Sequence, residues 1–146
     1  MRPQQLRSKL RKMAAAGALA TCIALTPLLA HAEGSWTGSM SAVSTGFTSR
    51  SWTDKNADAN GTIIWHKYCT GVYSSISTVH YRLEKTGLLV ENRGEASFGC
   101  FSGNTYREYN YGRQPAGNYR FKVTKFNGST NSNGNRLTVT KVGVKY

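Results

Sequence analysis

The 146-residue sequence predicts an all-β protein, a two-layer antiparallel β-sandwich of jelly-roll or immunoglobulin-like type with one disulfide, behind a cleavable leader. Three observations lead there. Beyond residue 32 no window carries a 3.6-residue apolar repeat, whereas several runs alternate apolar and polar side chains with the period of a half-buried strand. Those runs are short and are broken about every ten positions by Gly, Asn, Ser or Pro. The two cysteines in this region, Cys69 and Cys100, each fall on a predicted strand.

Residues 1–32 stand apart. Arg2, Arg7, Lys9, Arg11 and Lys12 form a basic start, an Ala/Leu-rich run follows, and Ala30-His31-Ala32 matches a small-x-small cleavage site. That is the order of a bacterial secretory signal peptide cut after Ala32, leaving one extracellular domain over 33–146 with no transmembrane span. An uncleaved anchor fits less well, because Pro27 interrupts the apolar run. A lipoprotein site at Cys22 has Thr21 where a small residue belongs.

The remaining elements follow in order. Segment 33–40, Gly/Ser-rich around Trp36, is a first edge strand or a loose leader, and 41–52 suits short strands. Segment 54–61 is a polar turn. Segment 62–69 is a strand with both faces partly apolar, ending in Cys69, and 71–77 is a Ser-rich connector. In 78–85, Val79, Tyr81 and Leu83 face one way and His80, Arg82 and Glu84 the other. A turn at Thr86-Gly87 leads into Leu88-Leu89-Val90, read as a short buried run. Segment 95–101 points Ala96, Phe98 and Cys100 inward, and 105–112 is an edge strand or a loop, since Pro115 ends any ladder soon after. The last thirty or so residues read as a β-hairpin. Its first arm, 117–124, buries Tyr119, Phe121 and Val123, and its return arm, 136–146, slips phase near Thr140-Lys141, where a β-bulge would restore the facing.

Residues 33–146 hold fourteen Lys and Arg against seven Asp and Glu, a net of +7. Such a charge favours encounter with an anionic polymer, a glycan or an acidic protein at a cell surface; nucleic acid is a less favoured partner, and solubility alone also uses the charge. In an exported chain the pairing of Cys69 with Cys100 is the default, and no Cys-x2-Cys or His-x3-His spacing points to a metal. The nearest calcium-loop pattern, Asp54, Asn56, Asp58 and Asn60, has Ala59 where Gly belongs and Trp65 where a bidentate carboxylate belongs. A plain Asn/Asp/Gly turn between strands explains the same residues. No metal or other cofactor is expected.

Acid–base chemistry would draw on His66, His80, Glu84, Glu91, Glu95 or Glu108, and His80, Arg82 and Glu84 share a strand face, close enough to converge on one substrate as in a nuclease. Alternating charges on a wet strand face also serve solubility. The richest contact composition lies at Tyr106, Arg107, Tyr109, Tyr111 and Arg113, flat rings beside planar cations.

Ala116-Gly117-Asn118-Tyr119-Arg120-Phe121-Lys122-Val123 resembles the closing strand of small β-sandwich modules attached to secreted bacterial hydrolases, the pre-peptidase C-terminal and carbohydrate-binding-like modules. The resemblance implies fold class; the calcium-ligating and sugar-stacking positions of those modules have no counterparts to carry over. The expectation is a secreted, basic, monomeric, non-catalytic binding module contacting an anionic or glycan surface through those five residues. The alternative is a secreted effector, an enzyme inhibitor presenting loop 102–114 or a bacteriocin-like toxin, with a nuclease third.

Overall fold

The computed structural model describes residues 33–146, so the expected leader and its cleavage point after Ala32 lie outside the described residues. Eight strands form: β1 (Ser35–Val43), β2 (Trp52–Asp54), β3 (Ile63–Gly71), β4 (Thr78–Thr86), β5 (Glu91–Gly99), β6 (Arg107–Asn110), β7 (Gly117–Phe126) and β8 (Leu137–Lys145). No helix occurs among the described residues. The strands build two four-stranded antiparallel sheets, sheet A in the order β1-β8-β3-β6 and sheet B in the order β2-β7-β4-β5. Thus β1 pairs with β8, β2 with β7, β3 with β6 and β4 with β5. The first half of the chain runs back along the second, and the doubled ribbon folds over so that β8 also pairs with β3 and β7 with β4.

The alternation along β4 and β7 fills the core. Val79, Tyr81, Leu83, Tyr119, Phe121 and Val123 are all inaccessible to solvent, as are Ile64, Leu137, Val139 and Val144 of sheet A. Both sheets contribute to one cluster, as when Trp36 of β1 stacks on Phe121 of β7 with ring centroids 6.1 Å apart. Each such side chain stabilises the fold by roughly 1.5–3 kcal/mol through apolar burial.

Two expectations fail. The C-terminal strands form where predicted, but they are not a hairpin: β7 lies in sheet B and β8 in sheet A. Residues 127–136 are long enough to carry the chain from one layer to the other, and the two apolar faces meet across the core instead of side by side. Leu88, Leu89 and Val90 are not buried; they are the exposed turn of the β4–β5 hairpin.

The phase slip in β8 is a bulge, as expected. Gly38 pairs with Val142 and Met40 with Val139, so two steps along β1 match three along β8. By simple alternation from Leu137 and Val139, Lys141 would point into the core; the bulge turns it outward and sends Val142 and Val144 in. β3 slips at the same level. Lys67 pairs with Lys141 and Cys69 with Val139, and Tyr68 between them adopts a left-handed backbone at φ 55°, which a bulky residue takes up only at a cost.

Three links tie the layers. Cys69 of β3 is bonded to Cys100, just past β5, with Cα atoms 4.9 Å apart. His66 of β3 is buried, its Nε2 3.0 Å from the Gly99 carbonyl oxygen and its Nδ1 2.8 Å from the Tyr81 hydroxyl. A carbonyl only accepts, so Nε2 carries a proton; burial disfavours a second one on Nδ1, which then accepts from the Tyr81 hydroxyl. Tyr111, beyond β6, donates its hydroxyl to the Tyr81 carbonyl oxygen at 2.7 Å.

Two stability measurements follow. The disulfide spans a sequence separation of 31, so replacing both cysteines by Ala lowers unfolding stability by about 3–4 kcal/mol on loop entropy; a loss below about 1 kcal/mol in denaturant melts would contradict the clamp. Burial first, and the nearby Arg107 charge, lower the pKa of His66 below its ordinary value of 6.5, partly offset by the Gly99 carbonyl. Below pH 6.5 the unfolded chain takes up a proton that the folded chain refuses. Stability therefore falls as pH drops from neutral towards about 5, by up to about 1.4 kcal/mol per pH unit, and is unaffected by this group above that window. Urea midpoints that stay flat across the window would contradict a buried neutral imidazole.

Candidate functional site

The outer face of sheet A carries the arrangement most suited to holding a ligand. Trp65 of β3 lies opposite Gly143 of β8. A Cβ at Gly143 would stand 2.5 Å from Cζ2 of Trp65 and 2.7 Å from the Trp36 carbonyl oxygen, so only glycine lets the indole lie against the sheet backbone. Tyr106, entering β6, sits beside it with rings 5.4 Å apart and 28° from parallel. Burial, then the hydrogen bond and charge of Glu108, push the Tyr106 hydroxyl up to about 12, so it remains a proton donor held by that carboxylate. Lys67 extends over the Tyr106 ring, Nζ 5.4 Å from the centroid.

Lys141 stands directly opposite Lys67 across the β3–β8 pair. Like charges in that position cost stability. Neither lysine has an ion-pair partner among the described residues. Lys145 lies farther along the same face of β8, opposite Ile63. The result is a flat aromatic pair, one carboxylate and an excess of cations on one surface.

The five residues singled out by composition separate. Tyr106 belongs to this platform. Arg107, opposite His66, turns the other way and places Cζ 4.8 Å over the Phe101 ring. Tyr109, opposite Ile64, is exposed at the sheet edge and meets Tyr111 edge to face at 4.9 Å. Tyr111 is held by its hydrogen bond to Tyr81, and burial, with smaller contributions from Tyr109 and Glu95, raises its hydroxyl pKa strongly. Arg113 binds Asn56, with Nε 2.6 Å from Oδ1 and a terminal nitrogen 3.2 Å from the carbonyl oxygen, tying down the 54–61 turn. Composition did not single out Trp65, Lys67 or Lys141. The apolar residues on both faces of segment 62–69 hid which way Trp65 points, and the Lys67–Lys141 apposition is a property of register.

In the polar turn, Asp54 Oδ1 accepts the Asn56 N–H at 2.7 Å and Asp58 Oδ1 accepts the Asn60 N–H at 2.7 Å. These are the local backbone bonds of Asn/Asp turns. Asp54 is buried, and its second oxygen lies 3.4 Å from the Thr62 hydroxyl. Among the described residues no three His, Cys, Asp or Glu side chains come together as a metal cluster.

The His80, Arg82 and Glu84 face of sheet B is an ion-pair lattice. Glu95 of β5 receives Arg82 at 2.9 Å and Lys125 at 2.6 Å, with His80 Nδ1 at 3.6 Å. Burial raises the Glu95 pKa, but the hydrogen bonds from Lys125 and Arg82 outweigh it and bring the carboxyl down to about 2. Glu84 is buried and accepts from Arg120 at 2.9 Å. Each carboxylate is thus neutralised by its neighbours, in contrast with the lysines of sheet A.

A cleft of about 270 Å³ lies between β1 and the 44–51 loop, lined by Trp36, Met40, Phe47 and Arg50 among others. Arg50 stacks over the Trp36 ring at 5.0 Å, and the buried Trp36 Nε1 finds no acceptor among the described residues. No protein-family model, curated protein or solved structure matches this chain.

Proposed function

We propose that the chain is an exported, non-catalytic binding module that holds an anionic glycan on the outer face of sheet A. The observation that carries this reading is the Trp65–Tyr106 pair set beside two lysines opposed in register. The apolar C–H face of a sugar ring packs on flat aromatic surface, and Glu108 supplies an acceptor for hydroxyl groups. Carboxylates or phosphates on the polymer relieve the Lys67–Lys141 repulsion, so the charge costly to the free protein becomes attraction in the complex. A leader at 1–32 would deliver the domain to an oxidising compartment, where a disulfide persists. For the architecture we favour the jelly roll over the immunoglobulin-like alternative, because eight strands in the orders β1-β8-β3-β6 and β2-β7-β4-β5 form one folded double ribbon.

The test is pulldown of purified protein on an acidic wall polysaccharide and on a neutral glucan, with salt titration. Binding to the acidic polymer weakens steadily with added salt, and Trp65→Ala loses affinity by about tenfold or more. Salt-independent binding, equal retention on the neutral glucan, or full affinity in Trp65→Ala would overturn the assignment.

A further inference from the structure

Residues 87–90 join β4 to β5, and their aliphatic side chains face water: Leu88 is 106 % exposed, Leu89 82 % and Val90 54 %. A single exposed leucine is unremarkable on a protein surface, but three consecutive aliphatic residues at the apex of a hairpin form a patch that calls for an occupant. The last ladder pair below it is Lys85 with Glu91. Past that pair the described residues leave the two leucines almost uncovered, and a Cβ at Gly87 would meet only the Leu89 carbonyl oxygen, at 3.8 Å. β5 is the edge strand of sheet B, so among the described residues no strand flanks the hairpin on that side.

The apex is convex, and a convex apolar tip suits a medium that yields around it. Its charge setting points the same way. The described residues carry a net +7, and the neck holds Lys85 and Arg93 against Glu91, which lies 3.9 Å from Arg93. From Leu88 back to Lys85 is three residues, about 10 Å at roughly 3.3 Å per residue. Interfacial elements sink about 5–10 Å into the headgroup and acyl boundary, which would leave Lys85 at headgroup depth with Arg93 farther back along the neck. So shallow a seat also keeps the open backbone groups of the turn within reach of water and headgroups.

We propose that the 87–90 tip is a membrane-docking element that seats Leu88, Leu89 and Val90 in the interfacial layer of an anionic lipid bilayer. The element shares no residue with the sheet A platform, so it acts whether or not that face binds a glycan.

The experiment is co-sedimentation of purified protein with vesicles of phosphatidylcholine alone and of phosphatidylcholine mixed with an equal part of phosphatidylglycerol. The protein sediments with the mixed vesicles, and Leu88→Ser/Leu89→Ser weakens this by about tenfold or more, with an unchanged denaturation midpoint because neither side chain packs on the core. A Leu89→Trp variant shifts its emission to the blue on the same vesicles and is quenched by brominated acyl chains. No sedimentation, equal sedimentation of the double serine variant, or unmoved Leu89→Trp emission would overturn the proposal. So would tip-dependent self-association without vesicle binding, which would assign the patch to a second copy of the chain.

Discussion

Everything in this molecule rests on the attachment of β3 to the opposite layer. Along that one strand, His66 holds the Tyr81 hydroxyl and the Gly99 carbonyl, and Cys69 is covalently joined to Cys100. With only 114 residues described, apolar burial alone leaves a thin margin, and a covalent clamp beside a satisfied polar bridge raises it. The buried imidazole is tolerable because both of its nitrogens have hydrogen-bond partners. Tyr111 adds a further hydrogen bond from beyond the edge strand β6 to the backbone of β4.

Because the inner face of β3 is fixed in this way, its outer face is a rigid support. Two unfavourable features coincide on it: the left-handed Tyr68 and the direct apposition of Lys67 with Lys141. They share one origin. The β8 bulge that keeps Val142 and Val144 in the core also throws Lys141 outward, and Tyr68 makes the matching slip in β3. On sheet B Glu95 takes Arg82 and Lys125 and Glu84 takes Arg120, while Lys122 stands opposite Arg82. On sheet A, Lys67 and Lys141, both without an ion-pair partner among the described residues, share the face that presents Trp65 and Tyr106.

Much of the fold was legible because it depends on local alternation. Val79, Tyr81 and Leu83, and again Tyr119, Phe121 and Val123, declare their buried faces at period two, and the β8 bulge is visible as a slip from Val139 to Val142. Alternation does not name a strand's neighbour, so β7 and β8 looked like a hairpin while belonging to different sheets. It also does not distinguish an apolar run inside a sheet from one at its tip, which is why Leu88-Leu89-Val90 read as buried. The site was less legible still. Tyr106 stood out by composition, but its partners Trp65 and Lys67 come from β3, and Lys141 joins them only through sheet register. Arg113 and Tyr111 have the composition of contact residues and also serve the architecture, one holding the 54–61 turn and the other the layers.

In the proposed function, Lys67 and Lys141 face one another to meet an anionic ligand and contribute nothing to the stability of the fold. The most direct test is the unfolding free energy of Lys141→Gln against the parent protein at low and high salt, without ligand. Relief of the repulsion predicts a gain of about 0.5 kcal/mol at low salt that disappears as salt screens the pair. A loss of stability at low salt would instead show that Lys141 supports the folded state.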